Sequence, residues 1–534
     1  MTFENRWMIA GRLTTNAPLH IGNGDFITKD SMVAEKRDEA GKVIKEKVEI
    51  TAIGTDRNGH PYIPGSTLKG NLRALADRLK LATVEELFGS PDPEVKTSVG
   101  GKAEFYDARA IDAAPVFTHS PPHWDAKRQT GVTASVTLDR PTKTASEQRL
   151  FHEEFVPPGV SFDVTISGQN YSDAELTDLL WLLNSFNSGA AKLGAGTGSG
   201  NGLMRWELTD LKRMTKEDVA KWLTSGAATT GYAALASIPL AERQALATKA
   251  ANIRSIATQP DAVTLNIRLD FQSNFLVNDP SRTGTIEEKK AGHTPLLNVD
   301  GKPLLPASSM RGAFRAQAEK IVRTIGNEKC ACYLNNNGER EACRVDEMNE
   351  KLTEKLKPLC PTCLLFGSTS WKAVIDFSDF VATDSIREEK LFQQEFVAID
   401  RFTGGGAEQK KFNARSVDRP TLRGTISVDL SRLNHFAKNG WPLGLLALVL
   451  RDFIEGDVRL GLGAAKGYGT VRLTTENINL PEWDACPAAF KKGFTPQQWS
   501  SLSAANAPDP QTPLVLMQWV ADLSARIQEE RGNQ

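Results

Sequence analysis

The sequence predicts an α+β protein in which one ferredoxin-like module is written twice in tandem, and three observations predict it. Four short motifs recur in the same order in the two halves of the 534 residues. Strand-like alternation and helical runs follow one another in the same succession in each half. Five cysteines cluster where the second half is longer than the first, which marks a local insertion in a repeated plan.

The repeat is read directly from the residues. Pro61-Tyr-Ile-Pro-Gly-Ser-Thr-Leu-Lys-Gly70 returns as Pro303-Leu-Leu-Pro-Ala-Ser-Ser-Met-Arg-Gly312, and Leu87-Phe-Gly-Ser90 returns unchanged as Leu365-Phe-Gly-Ser368. Thr137-Leu-Asp-Arg-Pro-Thr142 is echoed by Ala398-Ile-Asp-Arg-Phe-Thr403. The glycine-rich run from Leu193 to Gly202 is matched by the run from Leu462 to Gly469. The offset grows from 242 residues at the first pair to 278 at the second, so 36 residues enter between these motifs, around the cysteines.

Within each copy the elements follow in order. Trp7 to Leu13 and Val263 to Asp270 alternate as half-buried strands. Helices are predicted over Ser66 to Leu81 and Ser308 to Ile325, each with Ser or Thr as its cap. Phe162 to Ser167 and Gly424 to Leu430 read as further strands, and helical runs follow over Asp173 to Phe186 and Gly444 to Glu455. A glycine-rich turn and a last strand close each copy. The expected domains are 1–208, an Ala-rich helical linker at 209–260, and a second module at 261–478 with an insertion at about 326–364. The tail at 479–534 carries Trp483, Trp499 and Trp519; it docks back on the second module or on a neighbour, and sequence leaves both open.

Composition excludes some classes. A net charge of -1 rules out a uniformly basic surface but leaves room for a basic groove. No run of 18 apolar residues is present and Met1 to Leu13 reads as a strand, so a soluble cytoplasmic protein without membrane contact is expected.

Cys330, Cys332, Cys343, Cys360 and Cys363 fall within 34 residues, and only Cys486 lies elsewhere. Cys360-Pro-Thr-Cys363 is a C-x-x-C knuckle that Cys332 and Cys343 complete to a four-thiolate set for structural Zn²⁺. Such a metal tethers an insertion too short to have its own core. Cys330 is a spare or an alternative to Cys332. A redox C-x-x-C needs a thioredoxin-like βαβ unit, which the pattern lacks.

Taken together, these motifs resemble the RAMP superfamily, specifically the backbone subunits of type III CRISPR effectors. Leu19-His-Ile-Gly-Asn23, the two Pro-x-x-Pro segments, Leu-Phe-Gly, Ile-Asp-Arg and the glycine-rich turns carry the resemblance over about 5–206 and 262–475. Two fused copies with a cysteine-bearing insertion most resemble the type III-D branch. The resemblance implies RRM-like domains with thumb hairpins that stack along a CRISPR guide RNA beside other effector subunits. Each thumb kinks the guide–target duplex. Several members then cut the complementary target RNA next to the kink with an acidic residue and a divalent metal such as Mg²⁺. A non-catalytic architectural subunit of the same complex is the alternative. A repeat-processing nuclease is disfavoured, because one hairpin site needs no repeated track.

The candidate RNA-binding residues follow. His20 lies in the Leu-His-Ile-Gly segment. Ser66, Lys69 and Arg73 share a helix face near its N-terminus, as do Ser308, Ser309, Arg311 and Arg315. Gly198 and Gly200 let a backbone approach phosphate, and Gly467 does so beside Lys466, a point charge. Arg140 and Lys143 in one thumb, and Arg401 with Lys410 and Lys411 in the other, suit insertion between RNA backbones. The resemblance places the catalytic acid about twelve residues before the first Pro of Pro-x-x-Pro, which here is Glu49, with Asp25 and Asp30 as acids that share the role. In the second copy Gly292 stands where the acid is expected, and His293, Asp279, Glu287 and Glu288 are nearby. The second copy is therefore read as binding without cutting.

Overall fold

The computed structural model describes residues 2–30, 36–37, 43–44, 47–90, 100–111, 115–138, 145–225, 235–252, 262–283, 292–332, 343–349, 351–484, 486–491, 495–501 and 512–532. The principal strands of the first copy are β1 (Asn5–Thr15), β2 (Gly22–Asp30), β3 (Lys47–Ile53), β4 (Ala103–Phe105), β5 (Gly131–Leu138), β6 (Ala145–Phe155), β7 (Ser161–Gln169) and β8 (Met204–Thr215). Its principal helices are α1 (Gly65–Arg78), α2 (Asp173–Asn184) and α3 (Leu240–Asn252). The second copy contributes β9 (Ala262–Phe271), β10 (Ile375–Phe377), β11 (Phe392–Ile399), β12 (Gly406–Ser416), β13 (Thr421–Asp429) and β14 (Val471–Asn479). The helices used below are α4 (Ala307–Ile325), α5 (Pro361–Phe366), α6 (Leu430–Leu433), α7 (Trp441–Glu455) and α8 (Thr512–Gly532).

Both copies build the same antiparallel sheet. β1 lies between β8 and β7, with β4 on the far side of β7; β9 lies between β14 and β13, with β10 on β13. The apolar phase of each central strand fixes its register. Leu13 pairs Phe162 as Leu269 pairs Leu422, and all four are fully buried. Even the irregularity is repeated: β1 has a register shift at Ala10/Gly11 against β8, and β9 has one at Asn266/Ile267 against β14. The structure is mixed α and β with antiparallel sheets in two modules, as the sequence implies.

Leu68, Leu72 and Leu75 of α1, and Met310, Phe314, Ala318 and Val322 of α4, turn one stripe inward onto these sheets. The caps differ from expectation. Pro64 and Pro306 occupy the N-cap positions and no side chain of the motif caps either helix. A carboxylate from a connection between two short strands takes over: Gly65 N–H donates to Asp107 at 2.8 Å and Ala307 N–H donates to Asp379 at 2.8 Å. Ser66 and Ser308 are thus inside the first turn and point outward.

The stretch expected as a helical linker begins as the end of β8, and its helix α3 packs on α2 of the first copy. In the second copy α8, from the tail, packs on α7 in the matching place. Trp519, Leu523 and Ile527 are buried there, and Gly444 lets the backbone at Trp519 approach to 2.2 Å of where a Cβ would sit. The tail therefore docks on its own module. Among the described residues no helix is long and apolar enough to cross a membrane.

The thumbs are hairpins. β5 and β6 pair in the first copy, extended by β3 and β2 into a four-stranded sheet, and β11 pairs β12 in the second.

Candidate functional site

The glycine-rich turns occupy the same place in both copies, yet their surroundings differ. Leu193 N–H donates to Gly202 O and Leu460 N–H donates to Gly469 O, each at 3.0 Å. The 3-10 turns Thr197–Ser199 and Ala464–Lys466 follow Gly196 and Gly463, both left-handed. Leu193 therefore corresponds to Leu460, two residues before the Leu462 that the motif match suggests; the glycine spacing hid the shift.

Copy one wedges its turn against copy two. A Cβ on Gly200 would lie 2.8 Å from the Ala307 Cβ and 3.1 Å from Phe377 O, at the start of α4. One on Gly198 would lie 3.3 Å from Asp376 Oδ1. Lys192 Nζ donates to Asp376 at 2.9 Å across this seam, with both side chains largely buried. Gly198 and Gly200 are small here because another module approaches. Around Gly467, by contrast, a Cβ would meet nothing within 4 Å. Lys466 beside it is exposed yet lies over the Phe412 ring at 4.2 Å and the Phe396 ring at 4.7 Å, a paired cation–π contact on the thumb.

The residues near the starts of the helices divide in a similar way. Ser66, Ser308 and Ser309 are exposed, Lys69 is half-buried, and Arg73 Nε lies 3.7 Å from Asp77. Arg311 turns inward and donates to Phe366 O. Arg315 also turns inward, donating to Glu319 Oε1 at 3.0 Å, to Gly367 O at 3.1 Å and to the Cys363 sulfur at 3.3 Å. His20 is buried, its Nδ1–H donating to Glu154 O at 2.7 Å while its carbonyl accepts from Ala195 N–H. It pins the glycine-rich turn rather than presenting a ring at the surface. Arg140 and Lys143 lie outside the described residues. Arg401 is exposed at the second thumb's tip, where Asp400 accepts from Phe402 N–H and Thr403 N–H.

Glu49 is exposed on β3, opposite Thr28 of β2. Thr51 pairs Phe26 on one side and Glu153 on the other, so Phe26, Glu49 and Phe151 share one face of the thumb sheet. Phe26 is 64% exposed and Phe151 53%. Asp25 is exposed in the bulge before Phe26 and accepts from Asn23 Nδ2 at 2.6 Å. The backbone of Asp30 pairs Lys47; its side chain lies outside the described residues. Among the described residues, neither Glu49 nor Asp25 joins two further ligands within metal-binding reach.

In copy two the thumb bridges Glu153–Thr51 and Ala414–His293 correspond. Counting back from them sets Ala291 at the place of Glu49; Ala291, Glu287 and Glu288 lie outside the described residues. Asp279 is buried and saturated, accepting from Ser281 N–H and Oγ–H and lying 3.3 Å from Arg282 Nε. His293 sits edge-on to Phe412, and burial, with the charge of Lys466, lowers its pKa. The sequence reading missed Phe26, Phe151 and Phe402, the last wholly exposed; the alternation of the thumb strands was the available signal for the first two.

Cys332, Cys343, Cys360 and Cys363 converge, with all four sulfurs within 4.8 Å of one another. Cys332 and Cys363 are 3.2 Å apart, and Cys360 and Cys332 4.0 Å. Tetrahedral thiolates around zinc sit about 3.8 Å apart, as bonds of about 2.3 Å require, so the set can bind a metal. Cys330 is excluded from it, fully buried beside Asn327. Hydrogen bonds from Cys343, Cys360 and Cys363 hold the Cys332 thiol far below the usual range, while bonding to Cys332 pushes Cys343 and Cys363 up. Four sulfurs this close cannot all ionise without a cation among them.

A family model described as RAMPs, the RAMP superfamily, matches residues 12–205 and 283–472. No curated protein matches the chain.

Proposed function

Because the chain belongs to the RAMP superfamily, which fits a CRISPR-associated RNA-binding subunit, we propose that it is a guide-RNA-binding backbone subunit of a type III effector that cuts paired target RNA in its first copy. The observation that supports this best is the seam. A turn of one module is seated on the helix start of the next, a contact that uses different surfaces on its two sides. Such heterologous contacts repeat along a track. At the outer ends no module covers the matching surfaces among the described residues: a Cβ on Gly467 would meet nothing within 4 Å, and Glu104 and Tyr106, which correspond to Asp376 and Ser378, are exposed.

RNA carries its own nucleophile. Cutting needs the 2′-OH in line with its phosphate, a base for its proton and a proton for the departing 5′ oxygen. Glu49 is the group for the first of these proton transfers, and exposed Phe26 and Phe151 flank it as stacking surfaces for bases. A divalent ion such as Mg²⁺ supplies positive charge at the phosphate when bound, and one or two carboxylates plus phosphate oxygens suffice to hold it. Glu49 fits that modest requirement. The four cysteines fit structural Zn²⁺ in the second copy.

A purely architectural reading is favoured because, among the described residues, Glu49 joins no group of three metal ligands. Reconstitution with guide RNA and labelled complementary RNA, with Mg²⁺ or EDTA, separates the two. Glu49→Ala should remove one discrete cut with binding intact, while Asp25→Ala and Asp30→Ala test the neighbours. Unchanged cuts in all three variants would sink the acid assignment.

A further inference from the structure

We infer that the seam between the two copies holds a phosphate-binding crevice, in which Lys372 and Arg432 of the second copy face Lys192 and Arg78 of the first, and that an RNA strand crosses the junction there. The inference rests on the RNA-binding reading above and adds to it a site and a path that the helix-start motif does not contain.

The charge balance of the seam carries it. Lys192 pairs Asp376 at 2.9 Å and Arg78 Nη1 lies 3.7 Å from Asp429. These two pairs use the carboxylates that face the junction. Asp429 is engaged further as the cap of α6, accepting from Arg432 N–H and Ser431 Oγ–H. Among the described residues no carboxylate lies within ion-pair distance of Lys372, Arg432 or Arg311; Asp376, and at Arg432 also Asp429, act on them from farther away. Among the described residues the Arg432 guanidinium donates only to Lys372 O, at 3.0 Å, and it lies over the Trp371 ring at 4.7 Å. The Nε atoms of Arg432 and Arg311 are buried with no hydrogen-bond partner.

Unpaired cations removed from water are costly, and proteins retain them where an anion completes the site. Loss of solvation lowers the basicity of Lys372, Arg432 and Arg311 alike; Asp376, with Asp429 at Arg432, offsets part of this, and a neighbouring cation adds to it at each. Yet Lys372 is exposed, so the crevice is open to a ligand rather than sealed. A guanidinium held over an indole, next to an exposed ammonium, suits a phosphodiester oxygen pair. A strand is the occupant because the unpaired cations of the second module stand beside Lys192 and Arg78 of the first, whose own ion pairs already cross the seam, so a polyanion there meets positive charge from both modules.

The test uses the full chain and a labelled single-stranded RNA over a salt series. Lys372→Met and Arg432→Gln should each weaken binding roughly tenfold near physiological salt and reduce the salt slope by about 1, and Lys372→Arg should restore both. The melting temperature should stay level or rise, since each neutral variant removes a cation without breaking an ion pair. If wild type binds RNA and both variants bind equally with unchanged slope, the crevice is not on the RNA path and the inference falls while the functional reading stands. A lowered melting temperature with unchanged slope makes these cations structural and also overturns it. If wild type binds no RNA, the functional reading itself fails.

Discussion

Beneath the first thumb, a carboxylate stands between two exposed phenylalanines; beneath the second, the corresponding ground is covered. Phe412 takes the place of Phe151, stacks on Phe396 at 5.0 Å, and lies under Lys466. Ser199, the counterpart of Lys466, is in the turn that copy one gives to copy two. The same loop is a wedge between modules in one copy and a lid on its own thumb in the other. A duplicated fold thus keeps its backbone plan while neighbours decide which surface remains available for chemistry.

The cysteines give the largest contrast. Cys363→Ser, or removal of metal by chelation, should destabilise the second copy by several kcal/mol or more, on the order expected when a structural metal is lost. Calorimetry should show its transition falling while that of the first copy holds. Metal stoichiometry near zero in the purified wild type would break the comparison at its root. Glu49→Gln comes next: target cutting should fall about 100-fold or more at one position, read on gels of end-labelled RNA, with affinity unchanged. A persisting cut at that position would make the two thumbs equivalent.

The glycines sharpen the comparison with a single chemistry. Gly200→Ala and Gly467→Ala both pay for a left-handed backbone, φ +87 and φ +86, at about 1–2 kcal/mol. Only Gly200→Ala also overpacks the seam, adding about 1–3 kcal/mol, so chemical denaturation should rank it clearly lower. Equal losses would mean the seam does not persist in solution.

The smallest effect concerns acid. Burial raises the Glu154 carboxyl, but Arg128, Ile53 N–H and Thr130 outweigh it and hold the group below its ordinary 4.5. A depressed carboxylate contributes stability above its unfolded pKa that is lost as pH falls through the folded one. The first copy should lose stability below about pH 4.5, and Glu154→Gln should flatten that dependence in pH-resolved melts. Copy two has Arg415 at this place and should lack the term.

The sequence disclosed the duplication, the central strands, the main helices and the cysteine set, because period, order and ligand spacing are local properties. It misdirected at Arg311, Arg315 and His20. Each sits in a motif that reads as a phosphate contact, and each finds a partner from a distant segment: Phe366, Cys363 and Glu154. Likewise a glycine run looks the same whether a phosphate or an alanine approaches it. Only the partner's identity separates the cases, and Ala307 lies more than a hundred residues away.

The seam also gives the chain a direction. Its first module presents a receiving surface and its second an offering turn, so the two ends of the molecule are unlike and cannot substitute for one another. Growth from either end would add the same step in the same sense, and nothing in a contact of this kind closes a ring unless the rotation happens to return. Fusion makes the first such step intramolecular, at high effective concentration. Every later step would have to lift Lys466 from its aromatic pair before the turn is free to be offered. Length, in such an arrangement, is set by how easily a lid opens at one end.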